Sequence, residues 1–157
     1  MIRARAAIAA DAAEIARIYN QGIEDRIATF ETRPRSEDDV RAWLSYPLAV
    51  AEEDGRITAF ASTGAYSTRA CYAHIADFSV YTARESRRRG AGRAALQELV
   101  RLAKAAGFTK LTSKVFVQNA PSRTMLKSLG FREVGIHERH GQLDGTWHDV
   151  VVVDLLL

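Results

Sequence analysis

The chain has 157 residues, 47% of them hydrophobic and 26% charged, with a formal net charge of +3. One domain of that length buries roughly two thirds of its unfolded surface, so it needs neither a disulfide nor a metal to hold it together. The single cysteine, Cys71, rules out an internal disulfide, and no apolar run is long enough to span a bilayer. Four histidines and one cysteine show no metal-ligand spacing, so no metal is expected. Acidic residues are spread throughout, which counts against a long nucleic-acid-binding stripe. Arg3, Arg5 and Asp11 interrupt the apolar opening, which does not fit a signal peptide. One domain over residues 1–157, located in the cytoplasm, is the expectation.

Residues Ile2 to Ile8 alternate weakly and read as a first strand. Asp11, with Glu14 three residues on, has the spacing of a capping box, and Ile15, Ile18, Tyr19 and Gly22 to Ile23 share one face of the helix that follows. A loop from Arg26 to Arg35, containing Thr29, Phe30 and Glu31, leads to a second helix from Ser36 to about Tyr46. There Val40, Trp43 and Leu44 point inward and Pro47 is the stop. Leu48 to Glu52 and Ile57 to Ser62 read as two strands around a Glu53-Asp54-Gly55 turn. The next strand, Ala73 to Tyr81, puts Ile75, Asp77, Ser79 and Tyr81 on one face and His74, Ala76, Phe78 and Val80 on the other. A carboxylate in mid-strand beside apolar neighbours is paired, at an edge, or part of a site.

The stretch from Tyr81 to Ala95 reads as a strand end, an arginine-rich glycine loop and a helix start. Gly90 and Gly92 let the backbone turn tightly and present N–H groups to an anion, with the positive end of the helix dipole behind them. Arg84, Arg87, Arg88, Arg89 and Arg93 crowd the same turn, which suits a small polyanion such as pyrophosphate; a solvated basic loop is the other reading. Ala91 to Ala106 is a strong helix with Ala95, Leu96, Leu99, Val100 and Leu102 to Ala103 inward and Gly107 as its stop. Lys110 to Val117 is then a strand, Pro121 to Leu129 a helix stopped by Gly130, and Val134 to Glu138 and Trp147 to Leu156 the last strands. Strand, loop, helix, strand in the centre predicts a right-handed crossover joining two parallel strands, and hairpins elsewhere make the sheet mixed.

Here the chain resembles the GNAT superfamily of N-acetyltransferases, whose acetyl-CoA motif is Q/R-x-x-G-x-G/A at a strand-to-helix turn. The chain supplies Arg87-Arg88-Arg89-Gly90-Ala91-Gly92, and the second motif appears as Asn119-Ala120-Pro121-Ser122 with Gly130-Phe131 after a helix. More narrowly, Ile18 to Thr32, Asp77 to Tyr81 and Gly145 to Val150 resemble the phosphinothricin and methionine sulfoximine N-acetyltransferase group. The resemblance implies an α/β (α+β) fold: a mixed, mostly antiparallel sheet with a central parallel pair, flanked by about four helices. It also implies acetyl-CoA as cosubstrate and a homodimer. In it, Val80, Tyr81 and Thr82 offer backbone groups to the pantetheine arm and the acetyl carbonyl. Arg87, Arg88, Arg89, Gly90, Ala91, Gly92 and Arg93 hold the pyrophosphate, and Asn119 and Ser122 meet the pantetheine. Asn119 equally suits a helix N-cap before Pro121.

Acetyl transfer to an amine requires a neutral nucleophile, so a base must take its proton. The glutamate proposed for this in the phosphinothricin group corresponds to Asp77, one methylene shorter, acting directly or through water; a paired structural acid is the alternative. A backbone N–H at Val80 to Tyr81 is the expected donor to the developing oxyanion. Many relatives place a tyrosine, and the phosphinothricin group a histidine, seven residues after the motif asparagine, where this chain has Leu126. The thiolate then leaves unaided or is served by Tyr81, Ser122 or His148. On the acceptor side the resemblance points to Phe30, Arg69, Tyr72 and His148. His137 and His140 read as structural, His74 lies on the opposite strand face from Asp77, and Cys71 lacks an adjacent base. The expected activity is acetylation of the α-amine of a small amino acid or toxic analogue such as phosphinothricin, methionine sulfoximine or sulfone, or arsinothricin. A polyamine, aminoglycoside or protein N-terminus as acceptor is the alternative, as is a nucleic-acid-binding module built on the arginine-rich loop. The apolar end, Val151 to Leu157, suits a dimer interface or a central strand.

Overall fold

The computed structural model describes residues 1–157 and turns the central strand–loop–helix–strand pattern into β4 (Ile75–Thr82), α3 (Ala91–Ala105) and β5 (Lys110–Phe116). Before them come β1 (Arg3–Ala6), α1 (Ala12–Asp25), α2 (Glu37–Trp43), β2 (Leu48–Glu53) and β3 (Arg56–Ala65). After them come α4 (Ala120–Ser128), β6 (Arg132–Leu143) and β7 (Thr146–Leu156). The seven strands form one sheet in the order β1-β2-β3-β4-β5-β7-β6, with β4–β5 as its parallel pair and every other pairing antiparallel. This is the mixed, mostly antiparallel sheet with four helices that the resemblance implied.

Alternation along the strands divides the core by face. On one side Leu96 and Leu99 of α3 pack on Ala59, Phe78, Leu111, Val151 and Val153. On the other, Ile15 and Ile18 of α1 and Val40 of α2 pack on Val50, Phe60 and Tyr81. The fully buried leucine, isoleucine, valine and phenylalanine side chains of these clusters each contribute about 1.5–3 kcal/mol of burial. Helices α1 and α2 reach only the β2–β4 part of their face, which leaves β5, β7 and β6 without a helix on that side.

Three local expectations change. Asp11 does not cap α1 through a box with Glu14: its carboxylate accepts the Ile8 N–H at 2.9 Å and the Arg5 guanidinium at 2.8 and 3.1 Å. The reciprocal box forms instead at Ser36 and Asp39, each side chain accepting the other's backbone N–H. Helix α2 ends at Trp43 because its last turn tightens, the N–H groups of Leu44, Ser45 and Tyr46 each reaching back three residues. Strand β6 runs to Leu143, well beyond Glu138, because Asp144 (φ 51°) and Gly145 (φ 79°) form a tight hairpin turn into β7, the same turn chemistry as Asp54-Gly55. Strand β7 lies between β5 and β6, so the apolar end is an interior strand.

Candidate active site

The parallel ladder between β4 and β5 is short: Ile75, Ala76 and Asp77 pair with Lys110, Leu111 and Thr112. Beyond it each strand follows its outer neighbour, β4 pairing with β3 to Thr82 and β5 with β7 to Phe116, so the sheet splits. The Ser113 hydroxyl donates to the Phe78 carbonyl at 2.7 Å near the start of the split. The Ala83 N–H donates to the Thr58 carbonyl at 2.8 Å, and alternation from there assigns the backbone groups of Tyr81, Ser79 and Asp77 to β3. The N–H and C=O of Val80 therefore turn into the gap, whereas the Tyr81 N–H belongs to the ladder. Of the two candidate oxyanion donors, Val80 is the one facing the opening.

The glycine loop closes one side of the split. Gly90 caps α3 with φ 93°, and the first intrahelical bond runs from Ala94 N–H to the Gly90 carbonyl at 3.0 Å, leaving the N–H groups of Ala91, Gly92 and Arg93 without helical partners. The two glycines do different jobs. Gly90 supplies the left-handed turn, while a Cβ on Gly92 would sit 2.7 Å from Thr82 Oγ1, so Gly92 lets α3 press against β4. The result is a cavity of ≈ 640 Å³ lined by Val80, Tyr81, Thr82, Arg87, Arg88, Gly90 to Arg93, Asn119 and Ser122, within the size range of ligand sites. Orphan backbone donors at a helix N-terminus beside unpaired guanidinium groups fit a pyrophosphate.

The five arginines are not equivalent. Arg84 pairs with Asp25 at 2.8 Å and Glu24 at 3.1 Å, Arg87 with Asp25 at 2.7 Å, and Arg89 with Glu53 at 3.7 Å, away from the cavity lining. Arg88, itself at φ 64°, and Arg93, which donates to Ser128, have no carboxylate partner. Asn119 caps α4, its Oδ1 accepting the Ser122 N–H at 3.4 Å, and its Nδ2 donates to the Ile27 carbonyl at 3.4 Å. It lines both the large cavity and an adjoining recess. Leu126 is buried and lines that recess, so no ionisable side chain stands at its position.

On the other face of β4, Asp77 is half-buried, with no ion pair or hydrogen bond. Its neighbour on β3 is Gly64, above which the space is open, and its neighbour on β5, Thr112, already donates to the Val153 carbonyl. Burial raises its pKa above the ordinary carboxylate value, opposed by the charge of Lys114. Asp77 lines neither cavity; it stands beside Phe78 and Ser79, which line the recess. The Tyr81 ring lies between Tyr19 at 5.0 Å and Phe60 at 5.3 Å and against Gly22. Burial pushes its pKa well up, so the hydroxyl, beside Thr29 and Ser79, holds its proton.

The four acceptor-side residues fall into two groups. Phe30 packs on Phe116 at 4.7 Å and over Gly141, and His148 stacks on Phe116 at 5.1 Å with Nδ1 3.1 Å from Gln118. Arg69 lies over the Tyr72 ring at 5.6 Å on the exposed β3–β4 connection, lining neither cavity. Sequence reasoning missed Lys114, which lines the recess; the alternation of Lys110, Thr112, Lys114 and Phe116 along β5 was the signal for its face. No group of three side chains is arranged to hold a metal ion, and no helix is long and apolar enough to cross a membrane.

The sequence profile of the acetyltransferase (GNAT) family matches residues 14–131. The L-methionine sulfoximine/L-methionine sulfone acetyltransferase of Salmonella typhimurium is 31% identical over 154 residues, covering 94% of this chain and 90% of its own. A GNAT superfamily phosphinothricin acetyltransferase from Sinorhizobium meliloti, solved in complex with AcCoA, matches with a TM-score of 0.91 and 29% identity over 99% of this chain and 88% of that one. The ribosomal-protein-alanine N-acetyltransferase of Brucella melitensis matches with a TM-score of 0.93 and 29% identity over 99% of both chains. A split sheet, an anion-binding glycine turn and a profile that spans most of the length agree: the chain belongs to the GNAT family and is an N-acetyltransferase that uses acetyl-CoA.

Proposed function

We propose that the enzyme acetylates the α-amine of a small amino acid or toxic amino-acid analogue of the phosphinothricin or methionine sulfoximine kind, with Asp77 as general base. The observation that carries this reading is the Asp77 carboxylate: half-buried, unpaired, facing open space, and next to the point where the sheet splits. A carboxylate whose pKa burial has raised is a better proton acceptor than a solvated one, and it needs no rearrangement to release a partner. Acetyl-CoA supplies a thioester whose carbonyl is open to attack. The chain's own contributions are the α3 N-terminus with Arg88 and Arg93 toward the pyrophosphate, Asn119 and Ser122 along the arm, and the Val80 N–H toward the carbonyl oxygen as charge develops there. With Leu126 at that position no acid stands there, and the thiolate leaves without a dedicated proton donor; Ser122, Asn119 and Lys114 are among the polar groups that line the recess beside it. A thiol is acidic enough for that.

The test is a panel of amines assayed for release of free CoA thiol: phosphinothricin, methionine sulfoximine, methionine sulfone and arsinothricin against polyamines, an aminoglycoside and a peptide beginning with alanine. Turnover of the amino acids supports the proposal; turnover confined to the other classes overturns it. The likeness to the Brucella enzyme is why the peptide is included, and a preference for it would establish the second reading, a protein N-terminus as acceptor. The proposal extends to a homodimer: the β6–β7 hairpin exposes Val134, Ile136 and Trp147 at the sheet edge, and sedimentation showing a monomer would refute that part.

A further inference from the structure

Of the cations that β5 and the start of β6 place on the sheet face of Asp77, two are occupied: Lys110 lies 3.5 Å from Asp154, and Arg132 reaches the same carboxylate at 3.5 Å. The third, Lys114, makes no ion pair and no hydrogen bond, is exposed, and lines the recess beside Ser79 and Tyr81. Register places it on the face of Asp77: Thr112 is the β5 partner of Asp77, and Lys114 is two residues further along the same strand face. Residues two apart along a strand share a face, so Asp77 and Lys114 flank the opening of the split from its two strands. Asp77 and Lys114 feel each other's charge yet do not form a salt bridge, so a negative and a positive group stand apart beside the place where the acetyl group must arrive.

A carboxylate and an ammonium on one face of the same opening, left unpaired, match the two charges of a zwitterion. From this match we infer that Lys114 is the receptor for the acceptor's α-carboxylate, orienting an α-amino acid so that its ammonium group meets Asp77. The inference rests on the proposed amino-acid activity and deepens it: specificity is for a free α-carboxylate next to the amine, whatever the side chain carries. Arg69, on the exposed β3–β4 connection, is not required for this recognition.

The experiment compares an amino acid with its own α-carboxamide, which keeps the amine and side chain and removes one charge. Methionine sulfone is the probe of choice because its side chain is uncharged; if another amino acid in the panel turns over faster, that one and its carboxamide are used. The wild-type enzyme should prefer the acid by about 10- to 100-fold in kcat/KM, the range of a charge-assisted hydrogen bond. Lys114→Met should collapse that ratio through KM, and Lys114→Arg should keep most of it; acetyl-CoA titration of each variant verifies that the fold persists. If Lys114 only tunes Asp77, Lys114→Met shifts the acidic limb of the pH profile equally for acid and amide and leaves their ratio unchanged, which overturns the inference while the amino-acid activity stands. If the wild-type enzyme acetylates no amino acid at all, the parent proposal falls with it.

Discussion

The two sides of the split between β4 and β5 are built from different materials. The proposed cofactor side is mostly backbone: three helix N–H groups, the Val80 peptide, Gly90 in a left-handed turn and Gly92 at a close approach to β4, with Arg88 and Arg93 added. The proposed acceptor side is mostly side chains: Asp77, Lys114, and the Phe30, Phe116 and His148 group. A backbone site depends on dihedral angles that few residues satisfy, so it leaves a spaced motif in the sequence. A side-chain site can be rebuilt by single substitutions without moving the chain, so it varies among enzymes that share a cofactor.

That contrast can be broken from either side. The largest expected effect is at Asp77: Asp77→Ala should lower kcat/KM by about 10²- to 10⁴-fold near neutral pH with acetyl-CoA binding kept, as measured by thiol release and titration. The loss should shrink as pH rises, because the acceptor amine then deprotonates on its own; a deficit independent of pH would remove Asp77 as the base. Stability should move the other way. Folding raises the Asp77 pKa, so the carboxyl favours the fold below its unfolded pKa, and that contribution is lost as pH rises through the folded pKa. Asp77→Asn should therefore melt above the wild type at pH 7–8, with the difference fading near pH 3.

Next comes Gly92→Val. Its Cβ would lie 2.7 Å from Thr82 Oγ1, forcing α3 off β4, with an expected loss of about 1–3 kcal/mol in stability and weaker acetyl-CoA binding. Unchanged cofactor affinity would mean that the α3 terminus is not part of the cofactor site. A smaller effect belongs to Arg88→Ala, roughly tenfold in acetyl-CoA affinity, because this guanidinium has no carboxylate to release. The smallest is Arg89→Ala, within about 0.5 kcal/mol, since Arg89 already faces Glu53 outside the cavity. Equal losses at Arg88 and Arg89 would contradict this division of the loop.

Legibility follows the same line. Helices α1 and α3 and the turn at Asp54-Gly55 could be read directly, because apolar spacing and left-handed turn residues act over a few neighbouring positions. The full length of β6 is not legible although Asp144-Gly145 carries the same signal, because its strand is polar and exposed and lacks an apolar alternation to announce it. The capping-box spacing at Asp11 misleads because its carboxylate serves Ile8 and Arg5 instead of the helix that follows it.

By itself the sequence determined the order of elements, the parallel crossover and the glycine turn that opens α3, since each follows from local conformational preference. Only the tertiary structure decided which arginines of that turn are free, that Val80 and not Tyr81 opens its N–H to the split, and that Lys114 stands unpaired on the face of Asp77. Those outcomes depend on partners brought from far along the chain, such as Asp25 with Arg84, 59 residues apart, and on the strand register that sets which way each group points.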